Sequence, residues 1–260
     1  MTPLTLPTLT WGSGDRRMLL LHGLGASAAG WWRVGSDLAA LGWEVTAPDL
    51  RGHGGGPTAD GYSIREHATD VLALGDPWDA VLGHSMGGSI AVLAAARTTG
   101  WTQRLILQDP ALVVPEPREA MIEWLVDDYR RPLTPEQLAL DNPHWHQRDC
   151  EVKAAALRSA GPDLVTATIE DSWPWNLVDD TAALTVPTTI IGSDPACGGI
   201  MAQTIAWWLV DTNPLVTYVF LPGAEHSVHR DDQLYPEYFR IVREALDGTP
   251  TLRGGEEERG

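Results

Sequence analysis

Five residues, Gly83-His84-Ser85-Met86-Gly87, stand between an apolar run, Ala80-Val81-Leu82, and an Ala-rich stretch over 87–97. A strand must become a helix within that short distance, and Ser85 must sit at the tip of the reversal. Glycine at both ends of G-x-S-x-G lets neighbouring backbone pass without a Cβ clash and leaves the hydroxyl exposed. Alone, the pattern arises by chance in roughly one chain in ten of this glycine content. Between a strand and a helix it specifies a nucleophile turn at the carboxyl edge of a parallel sheet.

The neighbouring segments supply such a sheet. Leu19-Leu20-Leu21-His22 is a short apolar run ending at Gly23, as a buried parallel strand requires. Residues 30–41 place Trp31, Val34, Leu38 and Leu41 at spacings of three and four, a helix stopped by Gly42. Trp43 to Ala47 is the next strand. Ser63 and Glu66 form a capping box ahead of a helix with Ile64, Ala68, Val71 and Leu72 on its apolar side. After the 87–97 helix, Leu105-Ile106-Leu107 is a further strand. Strands spaced by helices of this length are βαβ units.

The rhythm stops at Asp109-Pro110. From 113 to 183 only helical patterns occur: 116–130, one opened by Thr134-Pro135 with Gln137 as capping partner, one near 150–160, and one after Gly161-Pro162. Alternation resumes with a strand at 188–191, a helix at 200–210, a strand at 216–221 and a helix at 235–246. The expected organisation is an α/β core of 1–112 and 184–248, a helical cap of 113–183, and a disordered tail of 249–260. No internal repeat is visible.

Charge narrows the partners. Thirty-five acids oppose 18 bases, a net charge of −17, which argues against nucleic acid or an anionic membrane as partner. The hydrophobic fraction of 43% is too high for a disordered chain. Lys153 is the sole lysine and is assigned no chemistry from sequence. Cys150 and Cys197 have no metal spacing and read as two reduced thiols. Arg16-Arg17, Met18 to Leu21 and Ala26-Ser27-Ala28 imitate a signal peptide, but the apolar run is too short, and no run approaches a spanning helix. A soluble, cytoplasmic chain is the expectation.

A serine hydroxyl needs a base. Gly223-Ala224-Glu225-His226 follows the last strand, and His226 falls sooner after it than His229, so His226 is the expected base and His229 a supporting residue. His84 lies within the turn itself. His22 and His53, beside glycines at strand ends, read as loop-stabilising. The base in turn needs a carboxylate to fix its tautomer. Asp194 ends the strand before the one that delivers His226 and is the favoured acid; Asp109 is the alternative. The oxyanion of an acyl transfer needs donors, and the amides of Met86, at the helix start, and Leu24, in His22-Gly23-Leu24-Gly25, are placed to supply them.

Taken together, five signatures resemble the α/β-hydrolase superfamily, in its form with a helical cap. They are His22-Gly23-Leu24-Gly25, Pro48-Asp49-Leu50-Arg51-Gly52-His53-Gly54, Gly83-His84-Ser85-Met86-Gly87-Gly88, Ile191-Gly192-Ser193-Asp194 and Gly223-Ala224-Glu225-His226. The resemblance implies an α/β-hydrolase fold, a mostly parallel central sheet flanked by helices with a helical cap inserted after the sixth strand. It also implies a triad of Ser85, Asp194 and His226. Two departures stand out. Gly55-Gly56-Pro57 replaces the usual small polar residues after R-G-H-G and predicts a looser loop. Pro195-Ala196-Cys197-Gly198-Gly199 is unusually glycine-rich after the acid.

Trp31 and Trp32 follow the oxyanion loop, and Trp124, Trp145, Trp173 and Trp175 lie in the cap. Trp31, Trp32, Trp124, Trp173 and Trp175 are the expected substrate contacts, favouring a bulky apolar or aromatic group. The cap's fourteen acids against six bases disfavour phosphorylated substrates and CoA thioesters. His144 and His146, with Asp141 and Asp149, lack metal-ligand spacing. The expected activity is therefore hydrolysis of a small hydrophobic ester or lactone through an acyl-enzyme, with no metal or organic cofactor. Carbon–carbon hydrolysis, cofactor-free lyase chemistry and perhydrolysis use the same triad in similar proteins and stay open, as does a ligand receptor on the same scaffold. Epoxide and carbon–halogen cleavage, which use aspartate at this turn in similar proteins, are excluded by Ser85.

Overall fold

The computed structural model describes residues 2–75, 77–127, 129 and 134–248. Residues 249–260, expected to form a disordered tail, lie outside that range. The strands are β1 Thr8–Trp11, β2 Arg16–Leu21, β3 Trp43–Pro48, β4 Ala80–His84, β5 Leu105–Gln108, β6 Thr188–Gly192 and β7 Val216–Phe220. They form one sheet in the order β1-β3-β2-β4-β5-β6-β7. Only the β1–β3 pair is antiparallel. The short edge strand β1 has no sequence signal because its four residues are mostly exposed.

Side-chain alternation splits the core in two. Leu19, Leu21, Val81, Leu105, Leu107 and Ile190 pack on one face, against α2 (Ile64–Leu72), α3 (Met86–Arg97) and α8 (Gln203–Thr212). Met18, Leu20, Val45, Leu82, Ile106 and Ile191 pack on the other, against α1 (Trp32–Ala40) and α9 (Tyr235–Asp247). A sheet covered on both faces must be apolar at every position, which is why Met18–Leu21 imitates a secretory core and is instead fully buried β2.

Between β5 and β6 run α4 (Arg118–Asp127), α5 (Pro135–Asp141), α6 (Gln147–Asp171) and α7 (Val178–Ala182). The insertion follows the fifth strand, not the sixth as expected, because the described residues ahead of Thr8 add no strand. The two patterns read at 150–160 and beyond Gly161-Pro162 are the two helical stretches of α6, which meet at Gly161, a non-helical residue with φ +72° and ψ 163°.

The loop after β3 is tight, contrary to the expectation from Gly55-Gly56. Asp49 accepts the amides of Ala28 and Gly55, at 2.7 and 2.9 Å. A Cβ on Gly56 would lie 2.2 Å from Leu50 O, so glycine is what permits the close turn. Arg51 is buried and grips Asp70 through Nε and Nη2, at 2.7 and 2.9 Å, fixing the loop to α2.

Candidate active site

The serine turn is built as its composition requires. Ser85 has φ +53° and ψ −120°, a strained conformation for a residue with a Cβ. The strain is held by the backbone on both sides: Ser85 N donates to Gln108 O at 3.1 Å, and Ser85 O accepts from Gly88 N at 2.9 Å and Ala111 N at 3.2 Å. A Cβ on Gly87 would lie 2.2 Å from Leu21 O, and one on Gly83 would lie 2.4 Å from Gly87 O. These contacts are with backbone, which cannot yield.

His226 shares a cavity of about 530 Å³ with Ser85, at the carboxyl edge of the sheet. Its Nδ1 lies 2.6 Å from Oδ2 of Asp109, leaving Nε2 as the nitrogen that can serve Ser85. His229 is placed differently. It is buried, Gln108 Nε2 lies 2.9 Å from its Nδ1, Arg230 Nε lies 3.3 Å from its Nε2, and its ring packs on Trp31. Burial, with the charge of Arg230 next in weight, pushes its pKa well below the ordinary value, so it stays neutral.

The favoured acid requires correction. Asp194 does not pair with His226: its Oδ1 accepts Ala196 N and its Oδ2 accepts Gly223 N, each at 2.9 Å, so it caps a short 3-10 turn and ties the β6 loop to the β7 loop. Asp109 takes the imidazole. Its fully buried carboxylate also accepts the amides of Ile200 and Met201 at 3.0 Å and of Ser193 at 3.4 Å. The assignment to Asp194 followed strand order, β6 being the neighbour of β7. The His226 loop instead folds back across the end of β6 to β5, where Gln108 Nε2 lies 3.4 Å from His226 O. Gly198, at φ +90°, and Gly199 turn the β6 loop back so that the Ile200 and Met201 amides reach Asp109, which accounts for the glycine content.

Leu24 lines the cavity beside Ser85. A Cβ on Gly23 would lie 3.0 Å from Ser85 Cβ, so the Leu24 loop rests directly on the serine turn. Met86 is the first residue of α3, where the backbone N–H has no partner within the helix. Both expected oxyanion donors thus flank the serine.

Of the five tryptophans expected at the substrate, only Trp124 lines the cavity, at 64% exposure. Trp31 and Trp175 are packed in the core at 1% and 4% exposure, Trp175 donating to Ala111 O at 2.7 Å. Trp32 donates to Asp149 and faces His146, and Trp173 lies under Arg118. These four are corrected to packing and anchoring residues: large rings near a loop most often complete its packing. Trp145, which donates to Glu225, does line the cavity. His146 accepts Arg148 N as the cap of α6.

Three site residues carry no sequence signal. His84, buried and held neutral by desolvation, lies with Nε2 2.9 Å from His226 O, supporting the base's backbone. Gln108 bridges the serine turn and the histidine loop. Lys153 reaches Gly25 O at 2.9 Å from α6.

Comparison with known proteins identifies the fold. Residues 16–149 match the model of the alpha/beta hydrolase fold family. Lipase LipV of Mycobacterium tuberculosis is 35% identical over 106 residues, which span 39% of this chain and only 40% of the lipase. N-formylmaleamate deformylase of Pseudomonas putida is 24% identical over 86% of this chain and 87% of its own. Among solved structures, the enol-lactonase of Burkholderia xenovorans superposes with a TM-score of 0.75 at 20% identity, covering 93% of this chain and 96% of that one. With the family match spanning just over half of its 260 residues, the chain belongs to the alpha/beta hydrolase fold family.

Proposed function

We propose that the chain is a serine hydrolase that cleaves a small carboxylic ester or lactone with a hydrophobic moiety, using Ser85, His226 and Asp109. The 2.6 Å contact of His226 Nδ1 with Asp109, in a cavity shared with Ser85, is the observation that carries this reading. Asp109 holds the proton of the imidazole on Nδ1, so Nε2 takes the proton of Ser85 as Oγ attacks the carbonyl carbon. The amides of Leu24 and Met86 receive the oxyanion, a contribution of about 3–4 kcal/mol for each donor. Collapse expels the alcohol, protonated by His226, and leaves an acyl-enzyme. Water, activated by the same histidine, then releases the acid. None of these steps calls for a metal or an organic cofactor.

Helices α4–α6 act as the cap over this chemistry. Leu24, Leu125, Leu138, Leu157 and Val165 give the cavity apolar walls, which suit an alkyl or aromatic group. The two cysteines are free thiols, in keeping with a reducing compartment, and we place the enzyme in the cytoplasm.

The test is a set of initial rates on p-nitrophenyl esters of increasing acyl length, aromatic esters and lactones, with an N-formyl amide added because one similar protein is a deformylase. Turnover that vanishes in Ser85→Ala is expected. Undiminished turnover in that variant on every substrate accepted by the wild type would overturn the assignment.

A further inference from the structure

Helix α6 carries the only lysine of the chain, a half-buried residue that lines the cavity. Lys153 Nζ crosses to the core and donates to Gly25 O at 2.9 Å. Gly25 follows Leu24, whose amide is proposed above as an oxyanion donor. The turn is short: Ala26 N donates to Gly23 O at 3.2 Å, and Gly25 has φ +63°. It is confined on three sides. Gly23 rests against the Ser85 turn, and Tyr129 and Leu157 crowd Gly25 so closely that a Cβ there would lie 2.6 Å from Tyr129 Oη and 3.2 Å from Leu157 Cδ2. The third constraint is the ammonium.

The residues leading into α6 hold the opposite side of the site. His146 N donates to Arg230 O at 3.1 Å, Asp232 N donates to His144 O at 2.8 Å, and Trp145 Nε1 donates to Glu225 at 3.1 Å. One continuous segment of the insertion therefore touches both the loop of the base and the loop of the oxyanion donor.

We propose that Lys153 is a positioning residue of the reaction, its ammonium fixing the Gly23–Ala26 turn so that the Leu24 amide points at the developing oxyanion. A charge-assisted bond to a carbonyl is stronger than a neutral one, and a donor misaimed by a fraction of an ångström forfeits much of its transition-state contribution. The lysine charge also lies within reach of the site electrostatically: it helps lower His22 and His229, after burial in both cases. Attack on the substrate creates negative charge in the same region, so the ammonium favours the transition state over the ground state. The inference rests on the serine-hydrolase reading above.

The experiment compares wild type, Ser85→Ala, Lys153→Met, Lys153→Gln and Lys153→Arg on p-nitrophenyl butyrate. Affinity for n-butylboronic acid, which adds to a serine Oγ as a tetrahedral anion, is measured in parallel by calorimetry. Lys153→Met is expected to lower kcat about ten- to hundredfold with KM changed less than about twofold, and to weaken boronate binding by a similar factor. Lys153→Gln, a donor without charge, falls between, and Lys153→Arg recovers most of the loss. Retention of kcat and boronate affinity in Lys153→Met overturns the proposal. So does a loss confined to KM, which would make Lys153 a substrate contact, or an equal loss in Lys153→Arg accompanied by lowered thermal stability. If wild type binds the boronate through Ser85 yet hydrolyses no ester, the ester reading fails and the boronate series still decides the role of Lys153. If Ser85→Ala hydrolyses and binds like wild type, both readings fall.

Discussion

Replacing Asp109 by asparagine removes one negative charge and turns one acceptor into a donor, and the four contacts of the carboxylate dictate the outcome. If the new amide nitrogen took the Oδ1 position, it would face the N–H groups of Ser193 and Met201 and leave two buried donors opposed. In the Oδ2 position it opposes one backbone donor, Ile200 N, and the imidazole nitrogen. The second orientation is preferred, since each unsatisfied buried donor costs about 1–3 kcal/mol. His226 then accepts at Nδ1 and carries its proton on Nε2, the nitrogen needed to deprotonate Ser85. A tautomer fixed the wrong way lowers kcat by about 10⁴ in triads of this type, or about 5.5 kcal/mol of barrier. Stopped assays of p-nitrophenyl ester hydrolysis, with thermal melts to confirm folding, measure both effects. Asp194→Asn is the control and is expected to change kcat by less than about tenfold, through loosening of the Gly223 contact alone. Full activity in Asp109→Asn together with its collapse in Asp194→Asn would refute the reasoning.

Three other outcomes follow from contacts described above. Burial raises the Asp149 carboxyl to about 6, against the pull of Arg230; a folded-state value above the unfolded one stabilises the fold at acid pH and loses that contribution as pH rises through about 6. The unfolding free energy of wild type relative to Asp149→Asn should therefore decline by about 2 kcal/mol between pH 4 and pH 7, and parallel urea-derived curves would contradict it. Gly87→Ala, whose Cβ would meet Leu21 O at 2.2 Å, should destabilise the chain by about 3 kcal/mol or more, whereas Gly198→Ala, in the left-handed region with open space around it, should cost only about 1–2 kcal/mol; melts that rank them the other way would tell against the serine-turn geometry. Trp124→Ala should leave the melting temperature unchanged, because the ring is 64% exposed, and should raise KM selectively for long-chain and aromatic esters; a uniform change across chain lengths would remove Trp124 from the substrate site.

The parts of the molecule legible in sequence are those set by local rules. The central strands carry buried apolar runs at Met18–Leu21, Ala80–Leu82 and Leu105–Leu107, the Ser63–Glu66 box closes on itself as expected, and Ser85 sits where its flanking glycines require. Asp109 is the less evident acid in sequence because the decisive fact is the path of a loop: the His226 loop passes over the end of β6 and meets the strand beyond it. A signal was present in the glycine run after Asp194, which turns that loop onto Asp109, but it can be interpreted only once the target carboxylate is known. The tryptophans failed for a different reason. A ring near the site in sequence is usually spent on packing: Trp31 and Trp175 are buried, whereas Trp124 stands on α4, none of whose residues is fully buried. Lys153 was unreadable because its partner, Gly25 O, is a backbone atom more than a hundred positions away.

The placement of Asp109 at the end of β5 has a modular consequence. Nucleophile and proposed acid stand on adjacent strands, both ahead of the helical insertion, and share the Gln108 backbone as a common strut. The insertion can thus lengthen, shorten or be exchanged without altering their mutual distance, and only the histidine loop has to find its way back. On the proposed function, exchanging 113–183 would change the cavity walls and leave the nucleophile and the proposed acid in place. The same segment also grips Gly25 and residues 230–232, so a graft that preserves the walls but omits those handholds would recognise a substrate without being able to turn it over.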